Sequence, residues 1–144
     1  MSNTMRNSDE SLAQRLVKTV RRVAVLGIKT EAQAGQPAYD VPAYLQRAGI
    51  EVVPVPVYYP ETTTILGQPV FRALAEVPGP LDLVVVFRRP ADVAAHVADL
   101  LAKHPAAVWL QLGIRDDASA ATLRAAGIEV VQDRCIMVDH RRWA

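Results

Sequence analysis

The sequence predicts an α/β fold: a doubly wound, Rossmann-like sheet of five parallel strands in the order 3-2-1-4-5, with helices on both faces. Three observations carry this. Short apolar runs alternate with helical patterns along the chain. The runs are apolar on both sides, as in Val23-Ala24-Val25-Leu26 and Leu83-Val84-Val85-Val86-Phe87, the pattern of strands covered on two faces. Glycine or proline marks the junctions, at Gly27, Gly49, Pro78-Gly79-Pro80, Gly113 and Gly127, where the chain must turn.

Residues 1–9 are polar and expected to fray. Ser8 or Asp9 caps a leader helix to about Val20, whose apolar stripe is Leu12, Leu16, Val17 and Val20. Residues 1–20 thus form a leader packed on a domain of 21–144. Strand one, 23–26, ends at Gly27, where a missing side chain permits a tight turn and the close approach of a ligand. The loop 28–38 exceeds the roughly two to six residues usual for such connections. A helix follows over 39–47, with Pro42 expected in its first turn and Gly49 as its stop. Strand two, 51–55, leads into a second long excursion over 56–64 and a short helix around 71–76. Strand three, 81–87, runs into Arg88-Arg89-Pro90 and a helix over 90–103. Strand four is 107–110, Gln111-Leu112-Gly113 turns the chain, a helix covers 117–126, strand five is 129–131, and a short helix closes the tail. Strand one is then central, and the switch point lies between strands one and four.

Length and charge narrow the functions. A chain of 144 residues is sized for one domain and buries roughly 70% of its unfolded surface. A net charge of +1 gives no electrostatic footprint for nucleic acid or an anionic membrane. No apolar run approaches the ~18 residues of a membrane span, and the polar start lacks a secretory h-region. The single cysteine, Cys135, excludes an intrachain disulfide and fits a reducing cytoplasm.

In an open parallel sheet, ligands bind beyond the carboxyl ends of the strands. Four clusters collect there: the turn from Gly27 with Lys29; Pro54 to Tyr59 with two aromatic rings; Phe87 to Pro90 with two guanidinium groups; and Gln111 to Gly113. Helix N-termini and Arg forks suit phosphate, and aromatic rings can stack on adenine. Arg88 and Arg89, being adjacent, are expected to point to opposite sides. The dinucleotide fingerprint is missing: the turn reads Gly27-Ile28-Lys29-Thr30-Glu31-Ala32 and strand two ends without an acid. A P-loop is missing too. Cys135 and His140, five apart, fall about 140° apart on a helix; Cys135 reads as a packing residue. His96 and His104 match no metal spacing and read as a solvated face. Asp116 and Asp117 read as helix-start residues, and the charges from Asp133 to Arg142 as ion pairs.

With these phrases in place the chain resembles the small stand-alone CoA-binding proteins, similar to the CoA-binding domain of the succinyl-CoA synthetase α subunit. The matching stretches include Val23-Ala24-Val25-Leu26-Gly27, Leu66-Gly67-Gln68, Asp82-Leu83-Val84-Val85-Val86-Phe87-Arg88-Arg89, Val108-Trp109-Leu110-Gln111-Leu112-Gly113-Ile114 and Asp133-Arg134-Cys135-Ile136-Met137-Val138-Asp139-His140. The resemblance implies a bound CoA: Gly27, Ile28 and Lys29 meeting the pyrophosphate; Pro54, Val55 and Pro56 flanking the adenosine; Val86, Phe87 and Arg88 lining the end of strand three; Tyr58 joins the candidate site for its aromatic ring alone. Members often carry Asn-Pro-Lys or Asn-Pro-Arg after strand two, where this chain has Pro56-Val57-Tyr58. Arg88 or Lys29 could replace that base, CoA could bind more weakly, or the ligand could be another nucleotide. The leading expectation is a non-enzymatic CoA or acyl-CoA binding module. Its alternatives are an enzyme using Cys135 or His140, and an interaction subunit with a vestigial pocket; a homo-oligomer or an unknown protein partner is a separate expectation.

Overall fold

Strands form where apolar residues send alternate side chains to two faces. The computed structural model describes residues 2–144, with side chains from residue 9 onward. Its strands are β1 (Arg22–Leu26), β2 (Glu51–Val55), β3 (Thr64–Ile65), β4 (Gln68–Pro69), β5 (Leu83–Val86), β6 (Ala107–Leu110) and β7 (Glu129–Val131). Its α-helices are α1 (Ser2–Thr19), α2 (Pro37–Arg47), α3 (Val97–Lys103), α4 (Asp117–Ala125) and α5 (Ile136–Trp143). β3 and β4 pair as an antiparallel hairpin; the other five strands form one parallel sheet, ordered β2-β1-β5-β6-β7.

β1 shows how the two cores arise. Val23 and Val25 join one core with Leu16 and Val17 of α1, Val41 and Leu45 of α2, and Ile136 of α5. Ala24 and Leu26 join the other, with Leu100 of α3 and Leu123 of α4. Helices therefore cover both faces, as expected. Trp109 of β6 is fully buried, and its indole N–H donates to the Arg134 carbonyl at 2.8 Å, which ties the start of the last helix to the sheet.

The class is as the sequence predicts, but the strand order differs. Counting only the five long strands, it is 2-1-3-4-5 rather than 3-2-1-4-5, because β5 pairs with β1 instead of lying outside β2. Pro54 supplies the reason. A proline lacks the N–H that a central strand must donate on each side, so it belongs on an edge. Its carbonyl faces away from β1 and accepts from the Phe71 N–H at 3.0 Å. With β2 at the edge, the reversal in strand order falls between β1 and β5, the crevice where ligands enter such sheets.

Local boundaries shift as well. α1 is already helical at Ser8 and Asp9, so neither caps it. α2 starts at Pro37, which places Pro42 inside the helix rather than in its first turn. The stretch around 71–76 yields only a 3₁₀ turn, Leu74–Glu76, and residues 90–96 are 3₁₀ before α3 begins.

Candidate functional site

The carboxyl ends of β1, β2 and β5 are laced together by backbone bonds. Gly27 N–H donates to the Val55 carbonyl and Phe87 N–H to the Leu26 carbonyl, each at 2.9 Å. Gly27 has φ +87°, and a Cβ built there would lie 2.2 Å from the Phe87 carbonyl oxygen and 3.3 Å from Arg88 Cδ. The close approach anticipated at this glycine is therefore made by the chain's own backbone as it leaves β5. No side chain fits between the two strands at the switch point.

Arg88 is drawn into the crevice by this geometry. Its side chain is only 14% exposed, whereas that of Arg89 is 81% exposed, so the neighbours do point apart. Arg88 Nε–H donates to His96 Nε2 at 3.1 Å. Its outer nitrogens are held loosely, one 3.4 Å from the Tyr58 hydroxyl and the other 3.7 Å from Asp92. The guanidinium also lies 5.5 Å from the centroid of the Tyr58 ring, within cation–π range. Hydrogen bonding and charge from Arg88 lower the Tyr58 phenol below the usual tyrosine range. Burial, then the Arg88 charge, lowers His96 below the usual histidine range. A neutral His96 is what an Nε2 acceptor requires.

The excursion after β2 is also held in place. Arg72 donates to the carbonyls of Tyr58, Tyr59 and Thr62 at 3.0, 2.8 and 2.7 Å. This leaves Tyr58 exposed above Arg88. The β3–β4 turn has two residues at positive φ, Leu66 at 54° and Gly67 at 73°, as a tight hairpin demands. Leu66 N–H donates to Glu31 Oε2 at 2.7 Å, and Gln46 Nε2 donates to the Leu66 carbonyl at 2.8 Å. The hairpin is thereby fastened to the loop after β1 and to α2.

That loop has a second anchor. Pro42 has no N–H for the Ala38 carbonyl one turn earlier, and the Lys29 N–H donates to that carbonyl instead, at 3.1 Å. Gly27 and Lys29 thus both spend their backbone donors internally, which leaves Ile28 N–H as the donor of this turn. The Lys29 ammonium donates to Gln36 Oε1 at the start of α2. The side chains of Ile28, Pro54, Val55, Pro56 and Val86 are buried, so these positions can offer a ligand little beyond backbone. Gly27, Lys29, Tyr58, Phe87 and Arg88 remain accessible in part.

Sequence reasoning missed His96, read as solvated, and Arg72 and Asp92. The spacing of Arg88 to Asp92 was a usable signal, since residues four apart on a helical turn meet. Gln111 turns out to be structural: its Oε1 accepts from Ile136 N–H at 2.9 Å and caps α5. Cys135 precedes that helix as its N-cap. The His140 ring faces elsewhere, with Nδ1 2.8 Å from the Tyr44 hydroxyl. Asp139 is buried and receives both Arg134 Nε and Nη2, at 2.7 and 3.1 Å, so this tail pair is more than a surface contact. Among the described residues, no three His, Cys, Asp or Glu side chains gather as a metal site, and no helix is long and apolar enough to cross a membrane.

Comparison with known proteins places this geometry in context. Residues 21–141 match the family described as CoA binding domain. A solved structure from Thermus thermophilus superposes with a TM-score of 0.84 at 34% identity, covering 94% of this chain and 98% of that one. The uncharacterized protein YneT of Bacillus subtilis (strain 168) is 28% identical over 136 residues, 94% of this chain and 97% of its own. The dinucleotide-forming acetyl-coenzyme A synthetase 1 of Ca. Korarchaeum cryptofilum shares the fold, with a TM-score of 0.61 at 14% identity over 76% of this chain and 25% of that one.

Proposed function

The chain belongs to the CoA-binding domain family, and from that premise we propose that it binds coenzyme A or an acyl-CoA at the carboxyl edge of its sheet without transforming it. One observation carries the reading: Arg88 lies in the β1/β5 crevice with two outer nitrogens held only at 3.4 and 3.7 Å. Contacts that long are weak, and a phosphate oxygen pair would replace them with a charge-assisted fork. Tyr58 is the aromatic surface for the adenine, and Lys29 a second cation at the start of α2. Ile28 N–H faces the pyrophosphate. Pro54, Val55, Pro56, Val86 and Phe87 shape the floor through backbone and packing.

A binding role rather than catalysis is favoured by the two reactive side chains considered. His140 is bonded to Tyr44, and Cys135 sits at a helix start, so the pair forms no dyad. The compartment we assign is the cytoplasm, where a free Cys135 stays reduced.

Calorimetric titration with CoA, 3′-dephospho-CoA and NAD tests the proposal. CoA is expected to bind most tightly. Arg88→Ala should weaken it roughly 10- to 100-fold, the worth of a charge-assisted hydrogen bond. It should also erase the preference for CoA over dephospho-CoA. Absence of heat with millimolar CoA would end the proposal, and an unchanged preference would remove Arg88 from the site.

A further inference from the structure

We propose that the opposite, amino edge of the sheet carries a second and separate binding site, for a compact organic anion bearing an apolar group. An open hollow of about 320 Å³ lies there, between the ends of α1, α2 and α5. That volume is at the small end of ligand sites. Val17, Val20 and Ile50 give it apolar walls, Lys18, Arg21 and His140 supply the polar side chains, and Ala144 brings main-chain carboxyl oxygen to its α5 end. No acidic side chain lines it.

Among the described residues, Arg47 apart, the arginines and lysines elsewhere on the surface are engaged, Lys29 by Gln36 and Arg141 by the Tyr44 ring among them. Eight arginines pair with carboxylates, Arg72 holds carbonyls, and Lys103 holds the carbonyls of Val77 and Gly79. Among the described residues, the side chains of Lys18 and Arg21 have no such partner. The nearby carboxylates are already taken: Asp82 by the Arg21 and Arg22 backbone N–H groups, and Glu51 by the Arg22 side chain. The Tyr44 hydroxyl occupies His140 Nδ1, which leaves Nε2 as the free ring nitrogen. His140 is also locked in place by edge contact with the Tyr44 ring, 5.4 Å between centroids.

The local backbone field suits the two cations. Helix carboxyl ends each carry about −0.5 of a charge, and α1, α2 and α5 all end near the hollow. A mobile anion would be repelled by those carbonyls alone. Lys18 and Arg21 set two full positive charges against those partial ones, and the apolar walls select an anion with a hydrocarbon part over a bare inorganic one.

The site is tested on the full chain by backbone-amide NMR titration with phenyl phosphate, with inorganic phosphate and phenol as separate probes. Phenyl phosphate is expected to give saturable shifts confined to 17–21 and 48–50, with each control weaker by about tenfold or more. The double substitution Lys18→Ala, Arg21→Ala should weaken phenyl phosphate roughly 10- to 100-fold. Both side chains are exposed, so the thermal midpoint should hold; were it to fall, the charge-only change Lys18→Gln replaces the pair. Binding of CoA by the double variant should be unchanged, which separates this site from the carboxyl edge. Shifts that do not saturate, that spread over the surface, or that persist in the variant would overturn the proposal, as would loss of CoA binding.

Discussion

Gly27 and Gly127 share φ +87° but differ in surroundings, so replacing each by alanine separates backbone strain from collision. At Gly127 nothing lies within 4 Å of the added Cβ, and the cost is the left-handed conformation alone, about 1–2 kcal/mol. At Gly27 the same strain applies, and the Cβ would also sit 2.2 Å from a backbone carbonyl oxygen. That oxygen belongs to Phe87, whose own N–H is bonded to Leu26, so it can retreat only by spreading β1 from β5. Overpacking of this kind adds about 3 kcal/mol. The expected totals are about 4–5 kcal/mol for Gly27→Ala and about 1–2 for Gly127→Ala, against a typical stability of about 5–15. Urea unfolding followed by far-ultraviolet circular dichroism measures both, with a shared slope as the check that the unfolded states match. In thermal melts Gly27→Ala should fall about 15 °C below the parent. Two variants within about 1 kcal/mol of each other would refute the reasoning, because the crossing of the two strands would then be soft.

Other changes probe the remaining features. Asp139→Asn leaves Arg134 without its buried carboxylate and should cost about 2 kcal/mol, less than a fully buried pair because the Arg134 side chain is 25% exposed; a neutral urea midpoint would show the pair to be idle. Arg72→Ala should speed protease cleavage within 57–63 while leaving global unfolding nearly unchanged, and equal cleavage rates would show that the three carbonyls need no clamp. Burial and Arg88 lower the folded-state pKa of His96, so the unfolded chain takes up a proton at higher pH than the folded one. Stability is therefore full above about pH 7 and declines as pH falls through the ordinary histidine value of about 6.5. Burial of His140 acts in the same sense. Thermal melts of His96→Gln should show a shallower decline between about pH 7 and pH 5, and parallel profiles would contradict the assignment.

Much of the fold was legible because its signals are local. The apolar runs of β1, β5 and β6, the stops at Gly49 and Gly127, and the start of α4 at Asp117 depend on periodicity and turn chemistry alone. The strand order depends on which edges meet, and only Pro54 bore on it. The β3–β4 hairpin was hidden by Leu66, which occupies a positive-φ position that usually goes to Asn or Gly and is held there by Glu31 and Gln46. At the candidate site, Arg88 could be named from its place after a strand. His96 could not, because its role arises only when the 3₁₀ segment folds back over the crevice. Gln111 was readable as a polar group at the right edge, but its partner, Ile136, comes from a different part of the chain.

Pro42 has a consequence that reaches past its own helix. A carbonyl that α2 would ordinarily consume is released, and the segment after β1 becomes its sole claimant. The shape of the turn after β1, part of the candidate site, is thus decided by a residue in the interior of a helix. Restoring an N–H at that place would set helix and turn in competition for one acceptor, so a repair to the helix would loosen the turn after β1.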